Sequence, residues 1–166
     1  MKPRSLRGRY LIPLQSLRVL LGGFCLVYVT LVHSAELKTQ WSYRSAEDFE
    51  RISEFFTGKE NPGNRVIVRS IPGNRQGMYF SVMIQEGVNS LPAGSKAVVE
   101  VLHALSPETQ TYTFPIPNSP KNHRELLLGI TGDNWPAAKY KPMAWRVRIM
   151  NAAGEDLSTD KSYLWR

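Results

Sequence analysis

Catalysis in a small protein needs reactive side chains held close together, and this sequence spaces its candidates widely. Its three histidines fall in unrelated surroundings. His33 belongs to an apolar amino-terminal stretch. His103 ends the valine-rich run Lys96–Ala104, where a core or edge histidine held by its neighbours is expected rather than a general base. His123 lies among Lys121, Asn122 and Arg124, in a solvated turn. The one cysteine, Cys25, is in the same apolar stretch as His33, so the remainder of the chain offers no thiol nucleophile, disulfide or zinc–thiolate site. The nucleophile elbow, the His-Glu-x-x-His pair and the phosphate loop are missing from the sequence. Glu47/Asp48 and Glu155/Asp156 are paired carboxylates, but at a helix start and a hairpin, ordinary places for exposed acids. Asp133 and Asp156 lack the alternating ligand spacing of a calcium loop. No metal and no cofactor is expected. The one catalytic reading left is a small hydrolase assembled from residues far apart in sequence.

Binding chemistry has a better candidate. The segment Thr131-Gly-Asp-Asn-Trp-Pro136, followed by Tyr140, gathers Trp135, Tyr140, Asp133 and Asn134 in one loop. Two aromatic rings beside two polar groups can stack on a glycan or receive a peptide. In that reading Trp135 is outside the core and can be truncated cheaply. The other reading folds Trp135 back to cap the core, the usual fate of a large ring in a loop.

The formal charge of +7 does not mark a nucleic-acid binder. Lys2, Arg4, Arg7, Arg9 and Arg18 all precede residue 36, and no acid does; without those 5 of the 21 basic residues, 16 face 14 acids. A net +2 spread over residues 36–166 provides no basic stripe. The basic flank leads into Val19–Val32, an uncharged run, then His33, Ser34 and Ala35, the layout of a secretory signal peptide over residues 1–35. Cleavage after Ser34 or Ala35 starts the mature chain at Ala35 or Glu36. The alternative is an uncleaved membrane anchor over residues 19–35, whose 17 uncharged residues fall short of the roughly 20 that span a bilayer. Phe24 ahead of Cys25 is too bulky for lipid attachment, and no Arg-Arg pair marks a twin-arginine signal. Either way the chain after residue 36 is expected outside the cytosol, periplasmic or secreted, touching membrane only through that segment if it is retained.

The elements that must position the loop are mostly strands. Residues 36–64 read as an amino-terminal extension carrying a short helix: Ser45 and Asp48 open it in a capping-box-like pattern, and Phe49, Ile52 and Phe56 fall on one face that should pack on a sheet. Over residues 65–166, seven strands are expected, beginning with Val66–Ile71. Met78, Phe80, Val82 and Ile84 alternate on one face of the second. Lys96–Ala104, the Tyr112/Phe114/Ile116 alternation and Leu126–Ile130 follow. Met143–Met150 turns Trp145, Val147 and Ile149 inward and Arg146 and Arg148 outward. A last strand places Leu157, Thr159, Tyr163 and Trp165 on one face. Trp41 and Trp165 read as staples for the two ends. Short strands with turn residues between them make a mainly β sandwich.

Trp145-Arg-Val-Arg-Ile-Met-Asn-Ala-Ala-Gly-Glu155 resembles the sixth strand and following hairpin of fibronectin type III domains, where an aromatic, two alternating aliphatics and an Asn-x-x-Gly turn recur in that order. Trp145 stands where that family usually has a tyrosine, and the helix near Ser45 is extra to its fold. The resemblance implies an immunoglobulin-like sandwich of about seven strands and carries no function with it. The expectation is an exported, non-catalytic binding or interaction module of the cell envelope or extracellular space, with a glycan or a protein as partner and no nucleic acid. A structural or accessory subunit of a larger exported assembly is the alternative.

Overall fold

A computed structural model of the chain describes residues 37–166. The leader, whether signal peptide 1–35 or anchor 19–35, and Cys25 within it lie outside the described residues. The elements in order are β1 (Leu37–Arg44), α1 (Ile52–Thr57), β2 (Arg65–Arg69), β3 (Gly77–Ile84), β4 (Lys96–His103), β5 (Ser106–Pro115), β6 (Glu125–Thr131), β7 (Pro142–Met150) and β8 (Asp156–Lys161). They form two four-stranded sheets, β1-β3-β6-β2 and β5-β4-β7-β8. All neighbours are antiparallel except β2, which runs parallel to β6. Among the described residues no helix is long and apolar enough to cross a membrane.

The period-two pattern explains the packing. Met78, Phe80, Val82 and Ile84 of β3 and Leu126, Leu128 and Ile130 of β6 are buried against Val99, Val101, Phe114, Trp145, Val147 and Ile149 of the other sheet. Each such side chain contributes about 1.5–3 kcal/mol by leaving water. On β7 the outward cations are paired: Arg146 grips Glu100 with two guanidinium nitrogens, and Arg148 reaches Glu100 and Asp156. The hydrogen bond from Arg146, aided by both arginine charges, holds the Glu100 carboxyl below the ordinary carboxylate value despite partial burial.

The strand count is eight, not seven. The extra strand is β1, in the stretch read as extension: Leu37, Trp41 and Tyr43 turn toward the core with exposed Lys38, Gln40 and Ser42 between them, and the strand pairs with β3 from Leu37↔Ile84 to Arg44↔Gly77. The helix also differs. A 3-10 turn at Glu47–Phe49 and a six-residue α1 replace one continuous element, because Glu50 and Arg51 are extended between them. Asp48 does close the start, accepting from the Ser45 backbone N–H at 2.7 Å. Phe49 alone is buried; Ile52 and Phe56 are exposed rather than packed on a sheet. At the carboxyl end, β8 stops at Lys161, Ser158 is the buried residue and Tyr163 is fully exposed. A register shift between Ile149 and Met150 moves the strand out of the expected phase.

The outer face of the β1-containing sheet has its own small cluster of Phe49, Tyr79 and Leu127, with Ile67 at its margin. Tyr79 fits because its partner on β6 is Gly129, where any Cβ would lie 2.4 Å from the ring. Arg69 lies 4.9 Å above the Phe49 ring, donates from Nε to the Tyr79 hydroxyl at 2.7 Å and forks onto Glu60. The Tyr79 hydroxyl in turn donates to the Arg75 carbonyl at 2.7 Å. The Arg69 hydrogen bond keeps the Glu60 carboxyl below the usual carboxylate range, while burial pushes the Tyr79 phenol up.

Trp145, 9 % exposed and edge-on to Phe80 at 6.0 Å, joins the two sheets at their centre. Trp145→Ala should cost about 3–5 kcal/mol, read as a fall in the urea midpoint; an unchanged midpoint would put this ring outside the core.

Candidate functional site

A cleft opens at the end where β1 finishes, β3 begins and β6 leaves its sheet. The Thr131–Tyr140 loop forms one wall. Gly132–Asn134 is a 3-10 turn, and Gly132 adopts φ 59°, a left-handed backbone that lets the Asn74 amide come within 2.6 Å of where a Cβ would stand. The β2–β3 turn makes the opposite wall, through Asn74 and Gln76. Two hydrogen bonds tie the walls together: Gly132 N–H to the Gln76 carbonyl at 3.0 Å, and Ile71 N–H to Thr131 Oγ1 at 3.2 Å. Between them lies a cleft of about 580 Å³, bordered by Tyr43, Asn74, Gln76, Gly132, Asp133, Trp135 and Pro136–Ala138. That volume falls in the range of small-ligand sites.

The four loop residues expected to bind do not act as one patch. Asp133 is exposed on the cleft wall, and its carboxylate is the only formal charge there. Trp135 borders the cleft but is 3 % exposed. Its indole N–H donates to the Tyr140 carbonyl at 3.2 Å, and the His103 ring packs edge-on to it at 5.2 Å. It is the core cap of the second reading, and little of its face is left for stacking. Asn134 is half-buried and donates to Ser70 Oγ at 2.9 Å, while its carbonyl accepts from the Tyr112 hydroxyl at 3.0 Å. Tyr140 stands apart from the cleft wall, with Lys139 5.0 Å over its ring.

Three residues of the cleft were not singled out for binding in the sequence. Tyr43 and Gln76 meet through a 2.7 Å hydrogen bond from Gln76 Nε2 to the Tyr43 hydroxyl, across 33 residues of chain. Asn74 reads in sequence only as turn chemistry, and its Oδ1 accepts from the Gln76 N–H at 3.1 Å. The arrangement therefore offers two amides, a phenol and a carboxylate on walls locked by backbone hydrogen bonds. It can hold a polar ligand; no nucleophile–base pair borders it.

The other titratable groups do not supply one. His103 is buried, accepts from the Leu105 N–H through Nδ1 at 3.3 Å and faces Trp135. His123 borders a separate cleft of about 320 Å³ near Arg65 and Arg69, whose charges are met by Glu125 and Glu60. Among the described residues no three His, Cys, Asp or Glu side chains gather as a metal site. Comparison with protein-family models, curated proteins and solved structures finds no match for this chain.

The buried setting of Trp135 reverses the cheap truncation that a free loop would allow. Trp135→Ala should cost several kcal/mol, on the scale of about 3–5 for emptying a large aromatic site. Thermal unfolding monitored by circular dichroism checks this, and a melting temperature equal to wild type would contradict the packing.

Proposed function

We propose that this chain is an exported, non-catalytic binding module of the cell envelope or extracellular space, and that its ligand, a glycan or an extended segment of a protein partner, enters the cleft bordered by Tyr43, Asn74, Gln76 and Asp133. The observation that carries this reading is the cleft itself: hydrogen-bonding side chains of both signs of polarity on rigid walls, with no acid–base or nucleophilic pair beside them. Asp133 as the single charge favours neutral or cationic ligand groups over anionic ones. Nucleic acid is disfavoured for the same reason, together with the small net charge of residues 36–166.

We propose that the sandwich is immunoglobulin-like. The orders β1-β3-β6 and β5-β4-β7-β8 support this reading, in which β7 and β8 stand for the sixth strand and its hairpin partner. The Asn151–Glu155 turn between them closes with the Asn151 N–H donating to the Glu155 carbonyl at 3.0 Å, and Gly154 at φ 88°. The departure is β2, parallel to β6 at the sheet edge. Ligand loops of these sandwiches cluster at an end, which is where the cleft opens.

The test is binding to arrays of neutral glycans and of peptides by protein recovered from an export-competent host. Asp133→Ala and Gln76→Ala should each weaken retention about tenfold, the scale of one lost hydrogen bond to a charged or well-placed polar group, with unchanged melting temperatures. Ligand capture indifferent to both substitutions would move the site elsewhere.

A further inference from the structure

Helix α1 is mounted with its polar side inward. Glu54, half-buried, pairs with Arg75 at 2.8 Å and accepts from the Asn61 N–H at 3.2 Å; Ser53 Oγ accepts from Asn61 Nδ2 at 2.9 Å. The opposite side carries Ile52, Phe55 and Phe56, exposed by 83, 89 and 79 %. Their i, i+3, i+4 spacing makes one stripe, and the two phenylalanine rings meet edge-on at 5.7 Å. A helix fixed by ion pairs so that its apolar stripe faces water presents an interaction surface.

We propose that a second copy of this chain covers the stripe, in a two-fold dimer with the α1 helices antiparallel. A two-fold axis sets identical patches against each other, so stripe meets stripe. It also sets opposite charges together. The amino-terminal approach to α1 carries exposed Glu47, Asp48 and Glu50 around Arg51, while the carboxyl end carries exposed Lys59. Antiparallel pairing brings Lys59 of each copy to the acidic end of the other. The same acids disfavour an anionic lipid surface as the occupant. Three apolar side chains per copy make a contact well below the usual 20–30 residues a side, so the dimer is reversible and concentration-dependent.

Sedimentation equilibrium over a wide concentration range, on the exported protein, decides it. The expected result is a monomer–dimer equilibrium that Phe55→Glu abolishes while leaving the melting temperature unchanged. Lys59→Glu should weaken the dimer several-fold, and adding Glu50→Lys to the same chain should restore it. A monomer at every concentration would overturn the proposal, as would a dimer indifferent to Phe55→Glu. So would a monomer that co-sediments with phosphatidylcholine vesicles, which would assign the stripe to a membrane.

Discussion

Arg69 is the residue on which the arrangement of the amino-terminal arm depends. Its guanidinium has only 10 % of its side chain exposed, and it meets Glu60, the Tyr79 hydroxyl and the Phe49 ring together. A cation so placed is stable only while its partners hold, because burying it unpaired would cost several kcal/mol. Each partner belongs to a different stretch of chain. Phe49 comes from the turn before α1, Glu60 from the segment after it and Tyr79 from the centre of β3. One side chain thereby fastens both ends of the α1 region to the outer face of a sheet, and the pair Glu54–Arg75 fixes the helix between them. The polar clamp turns the apolar stripe outward.

The cleft uses the same economy at the neighbouring end. Its walls are loops, yet they are stiffened from beneath by Trp135, whose indole is bonded to Tyr140 and packed on His103. Ser70 joins the walls again, accepting from both the Thr131 N–H and Asn134 Nδ2. The polar groups left facing solvent are those not needed for these ties, chiefly Asp133 and parts of Asn74 and Gln76. Preorganised polar groups lose little freedom when a ligand binds, which favours recognition.

The sheet interior was legible from sequence because β-alternation is local: the inward faces of Met78–Ile84 and of Trp145–Ile149 follow from period two alone. The β7–β8 hairpin was legible from Asn151 and Gly154. β1 carries the same period, with Leu37, Trp41 and Tyr43 toward the core and Lys38, Gln40 and Ser42 exposed, though it was read as part of an extension; what its sequence does not give is its partner β3, some forty residues later. The rest of what escaped was non-local. The inversion of α1 escaped because Phe49, Ile52 and Phe56 do share a helical spacing; the extended Glu50–Arg51 step breaks that phase, and Arg69 and Arg75 decide which side faces in. For the cleft, the Gly-Asp-Asn-Trp loop announced one wall. The other wall, Tyr43 and Gln76, is assembled only by folding.

Hydrogen exchange on Arg69→Met tests the central claim most directly, since methionine keeps much of the arginine stem and removes the charge. Loss of the clamp should release residues 47–63 while leaving the opposite sheet paired. The account predicts faster exchange in peptides covering Glu47–Gly63, with protection of β4 and β7 unchanged. Wild-type protection across α1 in this variant would contradict it.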